Sequence, residues 1–128
     1  MNDPFAWLDA HLLRHAGAAK DYKAEWGWMR YQVGGKMFAA ICTPGAEHRD
    51  YAGHTLLNLK CDPLMAEHLR TQYTAIRPGF YMDKRHWIAV LLDSDPPEEL
   101  LRGLCDQSYR LVLEKLPKKL QKELAQRG

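Results

Sequence analysis

Two adjacent glycines, Gly34 and Gly35, separate two apolar stretches, Trp26 to Val33 and Lys36 to Cys42. A two-residue loop joining antiparallel strands needs positive φ at both positions, which glycine adopts without penalty. The pattern therefore predicts a β-hairpin over residues 26–42. With a two-residue turn, Val33 faces Lys36 and Tyr31 faces Phe38. That register puts Met29, Tyr31, Val33, Phe38 and Ala40 on one face, the expected core face. Trp28, Arg30, Gln32 and Met37 fall on a second, more mixed face. A chain that commits its first third to such a hairpin folds around an antiparallel sheet, and the remaining segments decide what covers it.

Residues 3–16 read as a first helix, with Asp3 as its cap, Pro4 in the first turn, and Phe5, Leu8 and Leu12 along one face. Gly17 ends it. Residues 43–53 form a polar loop, and a third strand runs from about His54 to Lys60. Asp62-Pro63 opens a second helix, with Met65 and Leu69 pointing one way. Residues 74–86 are irregular, and Pro78-Gly79 suits a type II turn. Residues 87–92 are apolar on both faces and read as a central strand. Asp95 with Glu98 resembles a capping box for a third helix, whose buried stripe is Leu101, Leu104, Cys105, Ser108 and Val112. Pro117 breaks it, and a last helix carries Leu116, Leu120 and Leu124 at four-residue steps. Few helices with mostly hairpin-linked strands argue for an α+β two-layer sandwich, a mainly antiparallel sheet covered by helices. At 128 residues this is one domain, 1–128.

Charge sets limits on partners. The chain carries 18 basic and 16 acidic residues, net +2, which excludes a polyelectrolyte that binds through bulk charge. The net value hides a segregation: residues 110–128 hold six basic and two acidic side chains, so the rest is slightly acidic. No apolar run approaches the ~20 residues of a membrane span, so no membrane partner is expected. The N-terminus lacks a signal-peptide pattern. Three widely spaced cysteines, Cys42, Cys61 and Cys105, suit a reducing compartment, and a cytoplasmic location is expected.

The motifs of phosphate-binding loops, dinucleotide folds, serine hydrolases and zinc peptidases are absent, and neither catalysis nor a cofactor is expected. His11 and His15 lie one helical turn apart, a spacing that can place two imidazoles on one metal. No carboxylate or cysteine follows at the next turn, so the expectation is a solvated helix face and no metal. Cys42 and Cys61 have no nearby base and read as buried thiols. Asp93, Asp95, Glu98 and Glu99 read as helix-start chemistry.

The most unusual stretch is Ile76 to Trp87, where Arg77, Lys84, Arg85 and His86 surround Phe80, Tyr81 and Trp87. Basic residues interleaved with rings can grip phosphates and stack on bases. The plainer alternative is a solvated loop over a core Trp87 and Phe80. Arg77-Pro-Gly-Phe-Tyr-Met-Asp83 followed by Lys84-Arg-His-Trp87 resembles the signature of MmcQ/YjbR-like proteins. So do Gly34-Gly-Lys-Met-Phe-Ala39, Leu59-Lys-Cys-Asp-Pro63 and Ser108-Tyr-Arg-Leu-Val112 with Leu116-Pro117. The chain departs from the family pattern after the first helix, where His15-Ala16-Gly17 stands in place of Leu-Pro-Gly, and in a longer loop from Pro44 to Gly53. The resemblance implies a CyaY-like sandwich. It carries over no iron binding, because the first helix holds only Asp3 and Asp9.

The family's hairpins resemble paired wings, and the resemblance implies DNA binding. Its candidate contacts are Lys36, Lys60, Arg77, Lys84, Arg85 and His86. A second expectation is a pocket for a small anion or metabolite built from Arg77, Lys84, His86 and Tyr109. A third is a protein-interaction module using the basic C-terminal helix. Against it, Leu116, Leu120 and Leu124 have the spacing of a helix docked on its own chain.

Overall fold

In the computed structural model, which describes residues 5–127, Gly34 and Gly35 both take positive φ, 57° and 78°. They join β2 (Trp28–Val33) to β3 (Lys36–Cys42), and Val33 pairs with Lys36 as the sequence requires. Further along, the register slips: Tyr31 pairs with Ala39 and Gln32 with Met37, which leaves Phe38 as the extra residue of a β-bulge. The bulge corrects the expected face assignment. Phe38 and Ala39 both enter the main core, and Ala40 turns to the opposite face beside Trp28.

The hairpin is the middle of a larger sheet. β1 (Ala19–Lys23) flanks β2, and β4 (Leu56–Lys60) flanks β3. Next come β6 (Trp87–Leu91) and, at the far edge, β5 (Ile76–Pro78). The order is β1-β2-β3-β4-β6-β5, with every pairing antiparallel. The strand at 87–92 is indeed interior. Strands β1 and β5 were not expected from the sequence. Nor does Pro78-Gly79 make a type II turn: the positive φ falls on Tyr81, at 56°.

Helices α1 (Ala6–Leu13), α3 (Glu98–Leu113) and α4 (Lys118–Arg127) cover one face, and α2 (Pro63–Gln72) packs beside β5 and β6. Asp62 caps α2, its Oδ2 accepting from the Met65 N–H at 3.2 Å. Of the two residues expected to point inward on α2, Leu69 is buried, while Met65 is exposed and Ala66 takes its place. The Asp95 capping box does not form: Asp95 takes a left-handed conformation after a 3-10 turn at Leu92–Ser94, and α3 starts behind Pro97. The expected cap Asp3 and Pro4 lie outside the described residues. The main core fills the space between helices and sheet, joining Leu8 and Leu12, Tyr31, Val33 and Phe38, Leu57 and Leu59, and the expected α3 stripe. Leu116, Leu120 and Leu124 join it from the C-terminal end, so the last helix docks on its own chain. The result is the α+β two-layer sandwich.

Candidate functional site

An antiparallel sheet with helices on one side usually shows polar residues on the other. Here the second face is apolar. Trp28, Ala40, Cys42, Leu56, Ala89 and Leu91 form a second buried cluster with Phe80, and Met37, Tyr51 and Met82 pack against it. Two loops supply partial cover, residues 43–55 and 79–86. Asn58, buried in β4, accepts the Phe80 N–H on its Oδ1 at 3.0 Å and so pins the second loop. The Tyr51 hydroxyl donates to the Pro78 carbonyl at 2.8 Å and ties the first loop to β5. Gly79 allows the close approach, since a Cβ there would sit 2.7 Å from the Trp87 Cβ.

Between these loops and the β1–β2 turn lies a cleft of about 740 Å³, within the range that holds a small organic ligand. Its walls include Trp26, Trp28, Met37, Phe80, Tyr81 and Met82. Trp26 and Tyr81 are large rings left 57% and 75% exposed at the rim. Tyr81 holds its place in a conformation that disfavours side chains, a kind of strain that clusters at functional sites. The His48 ring stands edge-on to both Phe80 and Tyr81, at 4.9 and 5.2 Å between centroids. Burial pushes the Cys42 thiol up to about 11, so it acts as an apolar wall and not as a nucleophile.

His48, Phe80, Tyr81 and Met82 are also one wall of a neighbouring cleft of about 610 Å³, which holds Arg49, Arg77 and Lys84. An aromatic chamber and a charged one thus share a partition; the second sets three cations against two carboxylates, Glu47 and Asp50, and Glu47 borders both. Arg77 pairs with Ala89 across the β5–β6 register, which sets it on this face. The structure brings Arg77 and Lys84 together with Arg49, which the sequence reading did not single out. Arg85 and His86 lie in the turn of Asp83 instead. The Arg85 backbone N–H and then the His86 imidazole hold the Asp83 carboxyl below its usual range. Lys60 ends β4 opposite Trp87, half-buried. Lys36 pairs with the core residue Val33 and so falls on the helix side of the sheet, apart from the others. Tyr109 belongs to the interlayer core, its hydroxyl donating to the Ala16 carbonyl at 2.6 Å, and does not join the Arg77–Lys84 group.

The histidine pair also departs from expectation. His11 is buried and His15 half-buried, and each Nε2 faces Asp106 Oδ1, at 2.9 and 2.8 Å. The missing carboxylate comes from α3, more than 90 residues along the chain. Burial raises the Asp106 carboxyl, and the hydrogen bonds from His15 and His11 outweigh that and leave it below its usual range.

A small α+β sandwich with a two-part cleft on its open sheet face is the class of protein these features define. The model of the YjbR family matches residues 13–111, and the chain belongs to that family. It is 32% identical over 109 residues to the uncharacterised protein YyaQ of Bacillus subtilis (strain 168), covering 80% of this chain and 92% of that one. To the uncharacterised protein YjbR of Escherichia coli (strain K12) it is 29% identical over 116 residues, 91% and 92% of the two chains. Among solved structures, the Deinococcus radiodurans protein DR2400, with a DUF419 domain, superposes with a TM-score of 0.77 at 30% identity, over 92% of this chain and 85% of that one. A Pseudomonas syringae protein superposes with a TM-score of 0.71 at 21% identity, over 86% of this chain and 98% of that one, a likeness of fold. Among the described residues, no helix is long and apolar enough to cross a membrane.

Proposed function

We propose that this protein is a non-catalytic binding module for a small ligand that joins an aromatic or apolar body to an anionic group. The observation that carries the reading is the shared wall: Phe80, Tyr81, His48 and Met82 border the aromatic cleft on one side and the Arg49–Arg77–Lys84 cleft on the other. The body packs on the exposed Trp26 and Tyr81 rings at the rim of the aromatic cleft, where apolar area is removed from water at roughly 25 cal/mol per Å². The anion meets a guanidinium pair and an ammonium that outnumber the Glu47 and Asp50 carboxylates of the same cleft, so their role is orientation as much as affinity. The other expected role, DNA contact through hairpin wings, draws less support. The Gly34-Gly35 turn leans on the start of α4, where a Cβ at Gly34 would sit 2.8 Å from Leu116, just before the helix, and 3.0 Å from Leu120 within it, and Lys36 faces away from the remaining candidates.

The test uses 1-naphthyl phosphate, with 1-naphthol and inorganic phosphate as its two halves, titrated by fluorescence and calorimetry. The whole compound binds more tightly than either half. Arg77→Gln and Lys84→Gln each weaken it by about two- to tenfold, the value of a partly exposed charged contact, and leave 1-naphthol unchanged. Equal binding of 1-naphthyl phosphate and 1-naphthol, or no binding of either, refutes the reading. Binding of a twelve-residue oligothymidylate in place of naphthyl phosphate, with a log–log salt slope near −0.7 per phosphate contacted, would restore the nucleic-acid role.

A further inference from the structure

On the helix side of the sheet, His11, His15 and Asp106 bring three ligand atoms within 4.8 Å of one another. The proton positions follow from the neighbours. His15 Nδ1 lies 3.1 Å from the Leu12 carbonyl, which only accepts, so Nδ1 carries a proton. In the neutral ring Nε2 is then a bare lone pair, aimed at a carboxylate oxygen 2.8 Å away. Two lone pairs facing each other in a mostly enclosed site require a positive species between them. A backbone carbonyl holding the outer nitrogen of an imidazole is also how metal-ligating histidines are oriented. The ring is further fixed by stacking on Tyr109, at 4.5 Å between centroids.

We propose that His11 Nε2, His15 Nε2 and an Asp106 carboxylate oxygen form a binding site for a divalent transition metal of the zinc class. Two imidazoles and one carboxylate are the donor set such ions favour. Donors around a tetrahedral zinc are about 3.3 Å apart for bonds of about 2.0–2.1 Å. The two histidine nitrogens, at 2.8 and 2.9 Å from Oδ1, need only a small opening to admit it. A cleft of about 430 Å³ lined by His11, Arg14, Arg102 and Asp106 gives an entry path and leaves room for water in the remaining positions.

One neighbour works against the ion. Arg102 Nη1 lies 3.2 Å from His11 Nδ1. A guanidinium only donates, so it keeps the His11 proton on Nε2, the atom that must bind the metal. Arg102 is held there by Glu98 at 2.8 Å and by the Trp7 ring at 4.3 Å. Arg14 also approaches Asp106 Oδ1, at 3.4 Å, but is exposed and free to turn away. Arg102 therefore lowers the affinity of the site, and the metal-bound state has His11 turned to the Nδ1–H tautomer with the guanidinium displaced.

The experiment titrates the full chain with Zn²⁺ by calorimetry and with Co²⁺ by visible absorption, and follows the histidine ring nitrogens by ¹⁵N NMR. One ion binds per chain, and the Nε2 resonances of His11 and His15 move while His15 Nδ1 stays protonated. His15→Gln and Asp106→Asn each lower the affinity by about tenfold or more, and Arg102→Met raises it by roughly tenfold, the size of the effect of groups that hydrogen-bond a ligand's outer nitrogen. Arg102→Met keeps all three ligands, so it decides the matter if a ligand variant fails to fold. The proposal is overturned if Zn²⁺ leaves both Nε2 resonances unmoved in the wild type and in Arg102→Met. Affinity that survives in folded His15→Gln overturns it as well. In either case the positive species beside Asp106 is a proton.

Discussion

Ser108, on the buried side of α3, is fully buried. Its Oγ accepts from the Lys60 N–H at 2.8 Å and donates to the Phe38 carbonyl at 2.5 Å. These two backbone groups sit at the bulge, just beyond the last β3–β4 pair, Ala39 with Leu59. The helix thus supplies a hydroxyl where the sheet loses its regular ladder. Ser108→Ala keeps the size of the side chain and removes both bonds. A buried polar group left without a partner costs about 1–3 kcal/mol. With two groups affected and partial relaxation of the bulge, the expected loss is about 2–4 kcal/mol, a large share of the ~5–15 kcal/mol of a domain. Urea unfolding followed by tryptophan fluorescence and by far-ultraviolet circular dichroism measures it. The midpoint falls while the slope stays unchanged, since the same surface is exposed on unfolding. A loss below about 1 kcal/mol would mean that the strands close directly over the missing hydroxyl, and the bulge would then not depend on α3.

Three other substitutions test separate steps. Gly79→Ala pushes a methyl to within 2.7 Å of the Trp87 Cβ, so it destabilises by about 1–3 kcal/mol in thermal unfolding and loosens the loop that walls the cleft; a neutral result would show that the loop shifts freely. Tyr81→Gly relieves a left-handed φ of 56° and costs little burial at a 75% exposed site, so stability rises by up to about 1 kcal/mol while naphthyl phosphate affinity falls. Both quantities falling together would remove the argument that Tyr81 is strained for binding. Tyr31→Phe acts on pH dependence. Hydrogen bonds from Lys20 and then Tyr31 hold the Asp9 carboxyl below its ordinary value of 3.8. A depressed carboxylate stabilises the fold above its unfolded value, and that contribution is lost as pH falls through the lower folded value. In Tyr31→Phe the Asp9 carboxyl moves back up by NMR titration, and the loss of stability between pH 5 and 2 shrinks; an unmoved Asp9 would leave Lys20 as its sole partner.

The sequence carried the elements whose signals are local. Gly34-Gly35 marks the hairpin, Asp62-Pro63 the start of α2, and Leu101 to Val112 the buried stripe of α3, because turn, cap and period are properties of adjacent residues. The edge strands were not legible for the opposite reason. In β1, Ala-Lys-Asp-Tyr-Lys buries no face and is held by backbone pairing to β2. In β5, three residues ending in proline are acceptable only because the strand is an edge. The one-residue bulge at Phe38 left Phe38 on the expected core face and exchanged the faces of Ala39 and Ala40, since strand period is two. The candidate site depended on long-range contacts. Arg49 and His48 come from a loop with no periodicity, and Asp106 reaches the His11–His15 pair through helix–helix packing that no spacing within α1 could announce. The basic-aromatic stretch was visible, but its residues divide: Arg77 and Lys84 line the cleft, and Arg85 and His86 bind the Asp83 turn.

The division of labour between the two sheet faces explains why a cleft exists. Strands β3, β4 and β6 are buried on both sides, as runs such as Leu56-Leu57 and Ile88-Ala89-Val90-Leu91 demand. Helices α1, α3 and α4 cover one side, with Ala66 and Leu69 of α2 joining the same core. On the other, Ala40 and Ala89 are too small to fill the layer, and two loops must complete it from the rim. A helix there would have closed the space. Loops tied to the sheet mainly at their ends and by bonds such as Phe80 to Asn58 and Tyr51 to Pro78 leave it open toward Trp26 and Tyr81 at the rim. If an apolar ligand body supplies the missing cover, its binding rigidifies both loops. Amide hydrogen exchange at Phe80, whose N–H bonds Asn58, then slows with naphthyl phosphate bound, while exchange in β2 at Tyr31 stays as it was. Unchanged exchange at Phe80 under saturation would place the ligand outside the loops and undo the link between the sheet's incomplete cover and its function.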